Sequence, residues 1–214
     1  MNTQADKTRQ MVQMALLGAI ILVMAFTPFL GYIPLGFTRA TIIHIPVILG
    51  SLLLGPKKGA MLGALFGITS LINNTMNPTV TSFVFTPFYS VGETHGNFWS
   101  LVICFVPRIL VGIVPYYVYR LIQKLFKNRK KGQIVSLSLA GLAGSLVNTL
   151  LVMNFIFLFF SQGYAQANEV SIDALYGFIL TIIGMNGIPE AIVAALLTVA
   201  LGKVLLTLQE KKKL

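Results

Sequence analysis

Long apolar runs alternate with short polar ones along the chain. The first, from Met11 to Leu30, is ~20 residues long, enough to cross a bilayer as a helix. Runs of this kind predict helices over 11–30, 40–55, 58–73, 98–120, 134–160 and 174–208. The second and third are short, and only Gly55-Pro56-Lys57-Lys58 parts them. Gly and Pro break a helix, and the two lysines mark a wet loop. The first run has no small-x-small cleavage site before a polar mature start, so it reads as helix 1 rather than a removed signal. The pattern predicts an all-α integral membrane protein, a single domain over 1–214 with six transmembrane helices.

Composition agrees. The chain is 56% hydrophobic and 10% charged, with a mean hydropathy of +0.81, whereas soluble domains carry roughly 25% charged residues. The charges also set an orientation. All of the 16 Lys and Arg except Arg39 and Arg108 fall before helix 1, between helices 2 and 3, between helices 4 and 5, or at the chain end. Six spans put these places on one side, and positive residues stay cytoplasmic, so both termini are expected in the cytoplasm. Topology thereby accounts for the net charge of +10. Contact with anionic lipid follows from it, and nucleic acid is not an expected partner.

The opposite side carries segments 31–39 and 74–97. The longer one mixes Asn74, Asn77, Pro78, Pro87, Tyr89, Glu93 and His95 with Phe83, Phe85 and Phe88. A long loop so rich in aromatics is expected to pack over something. Both segments read as candidate lids over an outward-facing pocket.

Several residues lie where lipid rejects them. Arg39 starts helix 2 and has two readings, interface snorkelling or ligand contact. Arg108 lies about ten residues into helix 4, some ~15 Å deep at ~1.5 Å per residue. A charge there costs several kcal/mol (~2.5 or more on the insertion scale) unless it meets a partner or water. Glu190 is the matching anion, in Met185-Asn186-Gly187-Ile188-Pro189-Glu190, where Gly and Pro loosen the helix. Broken helices at membrane depth are tolerated where they line a cavity. One reading is an Arg108–Glu190 ion pair that only fixes packing. The other adds Asn73, Asn148, Asn154 and Asn186 to form a pocket for a polar organic anion, since a guanidinium holds a carboxylate through two parallel hydrogen bonds.

Other features have plainer readings. His44, before Pro46, is read as structural, with a proton relay as the alternative. Trp99 reads as a membrane-interface anchor, and the lone Cys104 as packing. Ala15, Gly18 and Ala19 give helix 1 a small-residue face, and Gly59, Gly63 and Gly67 form a double GxxxG on helix 3. The chain has no G-x-x-x-x-G-K-[ST] loop, H-E-x-x-H or G-x-S-x-G. No enzyme activity, metal or cofactor is implied.

Taken together, the chain resembles the S components, the substrate-binding subunits of energy-coupling-factor (ECF) vitamin transporters. The likeness covers nearly the whole chain. It is carried by the short helices 2 and 3 with their basic turn and by the Ala15-x-x-x-Ala19 pair. Within that family the chain is most similar to pantothenate-specific members, on Thr38-Arg39-Ala40-Thr41, the Gly50–Gly67 stretch, Pro107-Arg108 with Gly112, Asn148-Thr149 and Asn186 through Glu190. The resemblance implies a bacterial plasma membrane protein that captures a vitamin from outside and works with a membrane-embedded T component and two ATPase subunits. It implies docking through Ala15, Gly18 and Ala19. It implies a ligand in the outer half, with Arg108, Asn148, Asn186, Glu190, Arg39, Asn73 and Tyr89 as candidate contacts. Folate, riboflavin or hydroxymethylpyrimidine are the other ligands of the class. A stand-alone carrier or channel and an intramembrane enzyme using Glu190 and His44 are the readings outside it.

Overall fold

The computed structural model describes residues 3–27, 30–35, 38–92, 94–126 and 129–211. Its helices are α1 (Thr3–Phe26), α2 (His44–Leu54), α3 (Pro56–Met76), α4 (Phe98–Val111), α5 (Val114–Leu125), α6 (Arg129–Ala167), α7 (Ile172–Ile182) and α8 (Ile188–Lys211). Two ribbons join them, β1 (Tyr32–Leu35) with β2 (Thr38–Thr41), and β3 (Ser90–Val91) with β4 (Thr94–His95), both antiparallel.

Six helical segments are present when α4 with α5, and α7 with α8, are each taken as one broken crossing. Four stretches, 4–26, 98–125, 132–167 and 172–208, have the length and apolar composition of a full span. The α2 helix has only 11 residues, about 16 Å of rise, roughly half a bilayer core.

The differences from the predicted boundaries have local causes. Hydropathy marks where lipid begins, not where backbone hydrogen bonds end, so α1 starts at Thr3 rather than at residue 11. Residues 38–41 are not the start of helix 2 but a strand paired with Tyr32–Leu35. Lys57 and Lys58 are not in a loop. Gly55, at φ 89°, turns the chain alone, and Pro56 opens α3, so both lysines sit in its first turn. Helix α3 runs on to Met76, and its polar tail bonds its own backbone: Asn74 Nδ2 donates to the Ser70 carbonyl and Thr75 Oγ1 to that of Leu71.

Proline explains the other breaks. Helix 4 is not continuous: α4 ends at Val111 and α5 restarts at Val114, because Pro115 lacks the N–H that would reach Val111. Helix 6 widens into a π turn, Ile183–Gly187, just ahead of Pro189. Helix α6 kinks at Phe160 (φ −134°, ψ 24°), where the apolar run was expected to end, and then continues to Ala167.

The double GxxxG of α3 packs inside the bundle. A Cβ on Gly59 would collide with the Gly112 backbone, and one on Gly63 with the Arg108 carbonyl. The backbones of α3 and α4 therefore touch. One core cluster joins Leu17 and Ile21 of α1, Val47 and Ile48 of α2, Phe66 of α3 and Leu137 of α6. A second gathers Phe83 and Val84 of the long loop with Ile103, Ile156, Phe160 and Ile179. The loop thus packs over the bundle as expected. Phe83 is fully buried, its ring edge-on to Phe160 at 5.8 Å, and Ser100 Oγ donates to its carbonyl at 2.7 Å. Glu93, Lys127, Lys212 and Lys213 lie outside the described residues.

Gly63→Ala forces α3 and α4 apart and is expected to lower stability by about 1–3 kcal/mol. Gly177→Ala on α7, where a Cβ meets nothing within 4 Å, is expected to be neutral or stabilising by up to about 1 kcal/mol. Thermal unfolding in detergent compares them, and equal effects would refute the close α3–α4 contact.

Candidate functional site

Pro107 sets up the centre of the site. It has no N–H for the carbonyl of Ile103, four residues earlier. The side chain of Arg108 folds back and supplies the missing donor, Nη1 to Ile103 O at 2.8 Å. Two rings flank the guanidinium, Phe66 of α3 at 5.6 Å and Phe85 of the loop at 5.3 Å from its carbon, a cation–π arrangement that favours the charge. Arg108 is buried and its Nε has no hydrogen-bond partner among the described residues.

Glu190 does not neutralise it. The carboxylate is near enough to act electrostatically on Arg108, but both oxygens are engaged elsewhere. Oε1 accepts from the backbone N–H of Thr41 at 2.7 Å, and Oε2 from Thr149 Oγ1 at 3.4 Å. No Arg108–Glu190 salt bridge forms among the described residues, so the packing ion pair is not what the structure holds. Glu190 instead ties the end of β2 to α6. The hairpin base is tied further, with Thr41 Oγ1 and the Ile42 N–H both donating to the Gly31 carbonyl.

Asn148 stands beside Thr149 on α6. It is buried, and its Oδ1 has no partner among the described residues. Asn186 is half-buried in the π turn, four residues ahead of Glu190. The Glu190 bonds set the end of β2, α6 and α8 side by side, with Arg108 of α4 within electrostatic reach of Glu190 and Asn148 next in sequence to Thr149.

Other candidates stand apart. Asn73 Nδ2 donates to the Ala25 carbonyl at 3.2 Å, closing the end of α1. Asn154 is exposed on α6 and donates to the Leu150 carbonyl of its own helix. Tyr89 packs with the second core cluster, that of Phe83 and Phe160. Arg39 lies in β2 opposite Pro34, and its side chain lies outside the described residues. Trp99 is partly exposed and stacks on Phe159 at 4.0 Å. Cys104 Sγ, buried, donates to the Gly67 carbonyl. On α1, Ala15 and Ala19 are exposed, while Gly18 is buried against Leu65. Phe66, Phe85, Thr41 and Thr149 were not singled out individually. The signals were Pro107 next to Arg108, which frees a carbonyl and recruits the guanidinium, and Thr149 next to Asn148.

Four helical stretches with the length and apolar composition of a span, two of them broken, packed around buried polar residues define an integral membrane protein of the helical-bundle class. The sequence profile described as "ECF transporter, substrate-specific component" matches residues 9–202. The chain belongs to this family. It is therefore a multi-pass protein of a bacterial membrane and a transporter's substrate-binding subunit, not an enzyme. It is 40% identical over 183 residues, 85% of each chain, to the "Pantothenic acid transporter PanT" of Lactococcus lactis subsp. cremoris. It is 29% identical over 216 residues, 96% of each, to the "Pantothenate transporter PanT" of Leuconostoc mesenteroides subsp. mesenteroides. A solved structure described as the S-component for biotin from an ECF-type ABC transporter aligns over 95% of each chain, at 17% identity and a TM-score of 0.48.

Glu190→Ala leaves the buried Thr41 N–H unpaired, at an expected cost of about 1–3 kcal/mol. Hydrogen exchange at the amides of 38–42 should quicken in that variant, with Glu190→Gln, which keeps an acceptor, in between. Unchanged protection at Thr41 would mean that the hairpin is held by something else.

Proposed function

We propose that this subunit captures pantothenate from outside the cell and delivers it inward with a transmembrane T component and two ATPase subunits. The observation that carries the reading is Arg108, a buried guanidinium held at Ile103 whose Nε is unused and which forms no salt bridge with a carboxylate among the described residues, Glu190 acting on it only at a distance. A buried cation is costly without a counter-charge, and a ligand carboxylate supplies one with matching geometry. Asn148, with its unpartnered Oδ1, accepts from a hydroxyl or the amide of the same ligand. Glu190 holds the hairpin rather than the ligand. The names of the two transporters quoted above support pantothenate over the other vitamins.

The basic ends of α1, α3 and α5 face the cytoplasm in this reading. Lys58 Nζ donates to Gln10 Oε1 at 2.6 Å, which supports the start of α3 and the N-terminal turns of α1 lying at one end. ATP is hydrolysed by the partners, since the chain carries no phosphate-binding loop. Ala15 and Ala19 form the exposed small-residue face through which the T component approaches, whereas Gly18 lets α3 pack closely behind it.

Equilibrium binding to the purified chain in detergent, with riboflavin, folate and thiamine as comparators, tests the ligand. Selective pantothenate binding without ATP is expected, and Arg108→Ala should weaken it about hundredfold or more while the protein stays folded. Selective binding of a different vitamin would discard pantothenate. Separately, Ala15→Trp with Ala19→Trp should spare binding yet block copurification with the ATPase module and uptake. Normal uptake by the double variant would sink the interface assignment.

A further inference from the structure

His44 opens α2 and is fully buried, yet neither ring nitrogen has a hydrogen-bond partner among the described residues. The Thr41 carbonyl lies near the ring without meeting hydrogen-bond geometry. Buried polar groups are almost always paired, so an imidazole left in this state asks for a partner that arrives later.

Helix contacts give its level in the bundle. Along α8, Glu190 meets Thr41, and Gly202 meets Leu49, so α2 and α8 run parallel. Along α6, Thr149 meets Glu190 while Gly141 meets Ala194 and Thr198, so α6 and α8 run antiparallel. Helices α2 and α6 are therefore antiparallel, with Ile48 seated on Gly144. One turn back from Ile48 on the same face is His44, and one turn on from Gly144 is Asn148. The two helices thus bring an imidazole and a carboxamide oxygen, neither with a partner among the described residues, to the same depth, beside the Glu190 bridge.

We infer that His44 is a ligand-recognition residue, whose imidazole and the Asn148 oxygen together hydrogen-bond the hydroxyl end of the ligand whose carboxylate Arg108 holds. This deepens the function proposed above and rests on it. An imidazole offers one donor and one acceptor, and so does a hydroxyl. Pantothenate carries its two hydroxyls at the end away from its carboxylate. A site that hydrogen-bonds a hydroxyl rejects an analogue without it, because its own polar groups are then left buried and unpaired.

Titration calorimetry on the purified full chain in detergent tests this with two probes, pantothenate and its analogue with both hydroxyls replaced by hydrogen. His44→Leu should weaken pantothenate binding about tenfold or more, but change affinity for the analogue less than about twofold. The melting temperature of ligand-free His44→Leu should stay level or rise, because an unpaired polar group is replaced by an apolar one. His44→Gln, which keeps a donor and an acceptor, should retain more pantothenate affinity than His44→Leu, and it carries the comparison if the leucine variant does not fold. Equal losses for both probes, or a lower melting temperature with unchanged affinity, would make His44 a packing residue and overturn the inference. Failure of the unaltered chain to bind pantothenate would instead overturn the ligand assignment itself.

Discussion

The guanidinium of Arg108 is a permanent charge inside an apolar bundle, and much of the structure is arranged so that it can stay there. Pro107 frees the Ile103 carbonyl, Arg108 takes it, and Phe66 and Phe85 present their ring faces. None of these contacts supplies a negative charge. The glycines of α3 matter for the same reason. With Gly63 against the Arg108 backbone, α3 and α4 come close enough for Phe66 to reach the side chain. A packing pattern common in membrane helices thereby becomes part of the polar centre.

Glu190 solves a different problem. A hairpin in a membrane protein has backbone groups that lipid cannot satisfy. The carboxylate takes the Thr41 N–H, and Thr149 anchors the carboxylate to α6. The π turn and Pro189 precede it directly, so the loosened helix lies beside the point where the chain reaches toward the hairpin. The hairpin, α6 and α8 are tied at one depth, where Asn148 Oδ1 and the His44 ring nitrogens have no hydrogen-bond partner among the described residues.

The membrane class and the helical segments were legible because lipid imposes a strong, one-dimensional rule: long apolar runs become helices, and charges inside them are exceptional. Arg108, Glu190 and Asn148 stood out for that reason. The hairpin did not, because Thr38 to Thr41 adjoin an apolar helix and strand pairing depends on a partner elsewhere in the chain. Asn154 looked equivalent to Asn148, being on the same helix six residues on. Helix rotation turns it to the exterior, where it bonds its own backbone.

By itself the sequence determined that the chain crosses a membrane, where the charges collect, and which residues are expensive in lipid. Those properties belong to each segment alone. Only the tertiary structure decided the partners: that Glu190 meets Thr41 and Thr149 rather than Arg108, that Asn73 closes α1, and that His44 comes level with Asn148. Each of these pairs lies on different segments, and which groups meet depends on helix rotation, kink and depth. Those are set by packing among all the helices at once, not by the order of residues in any one of them.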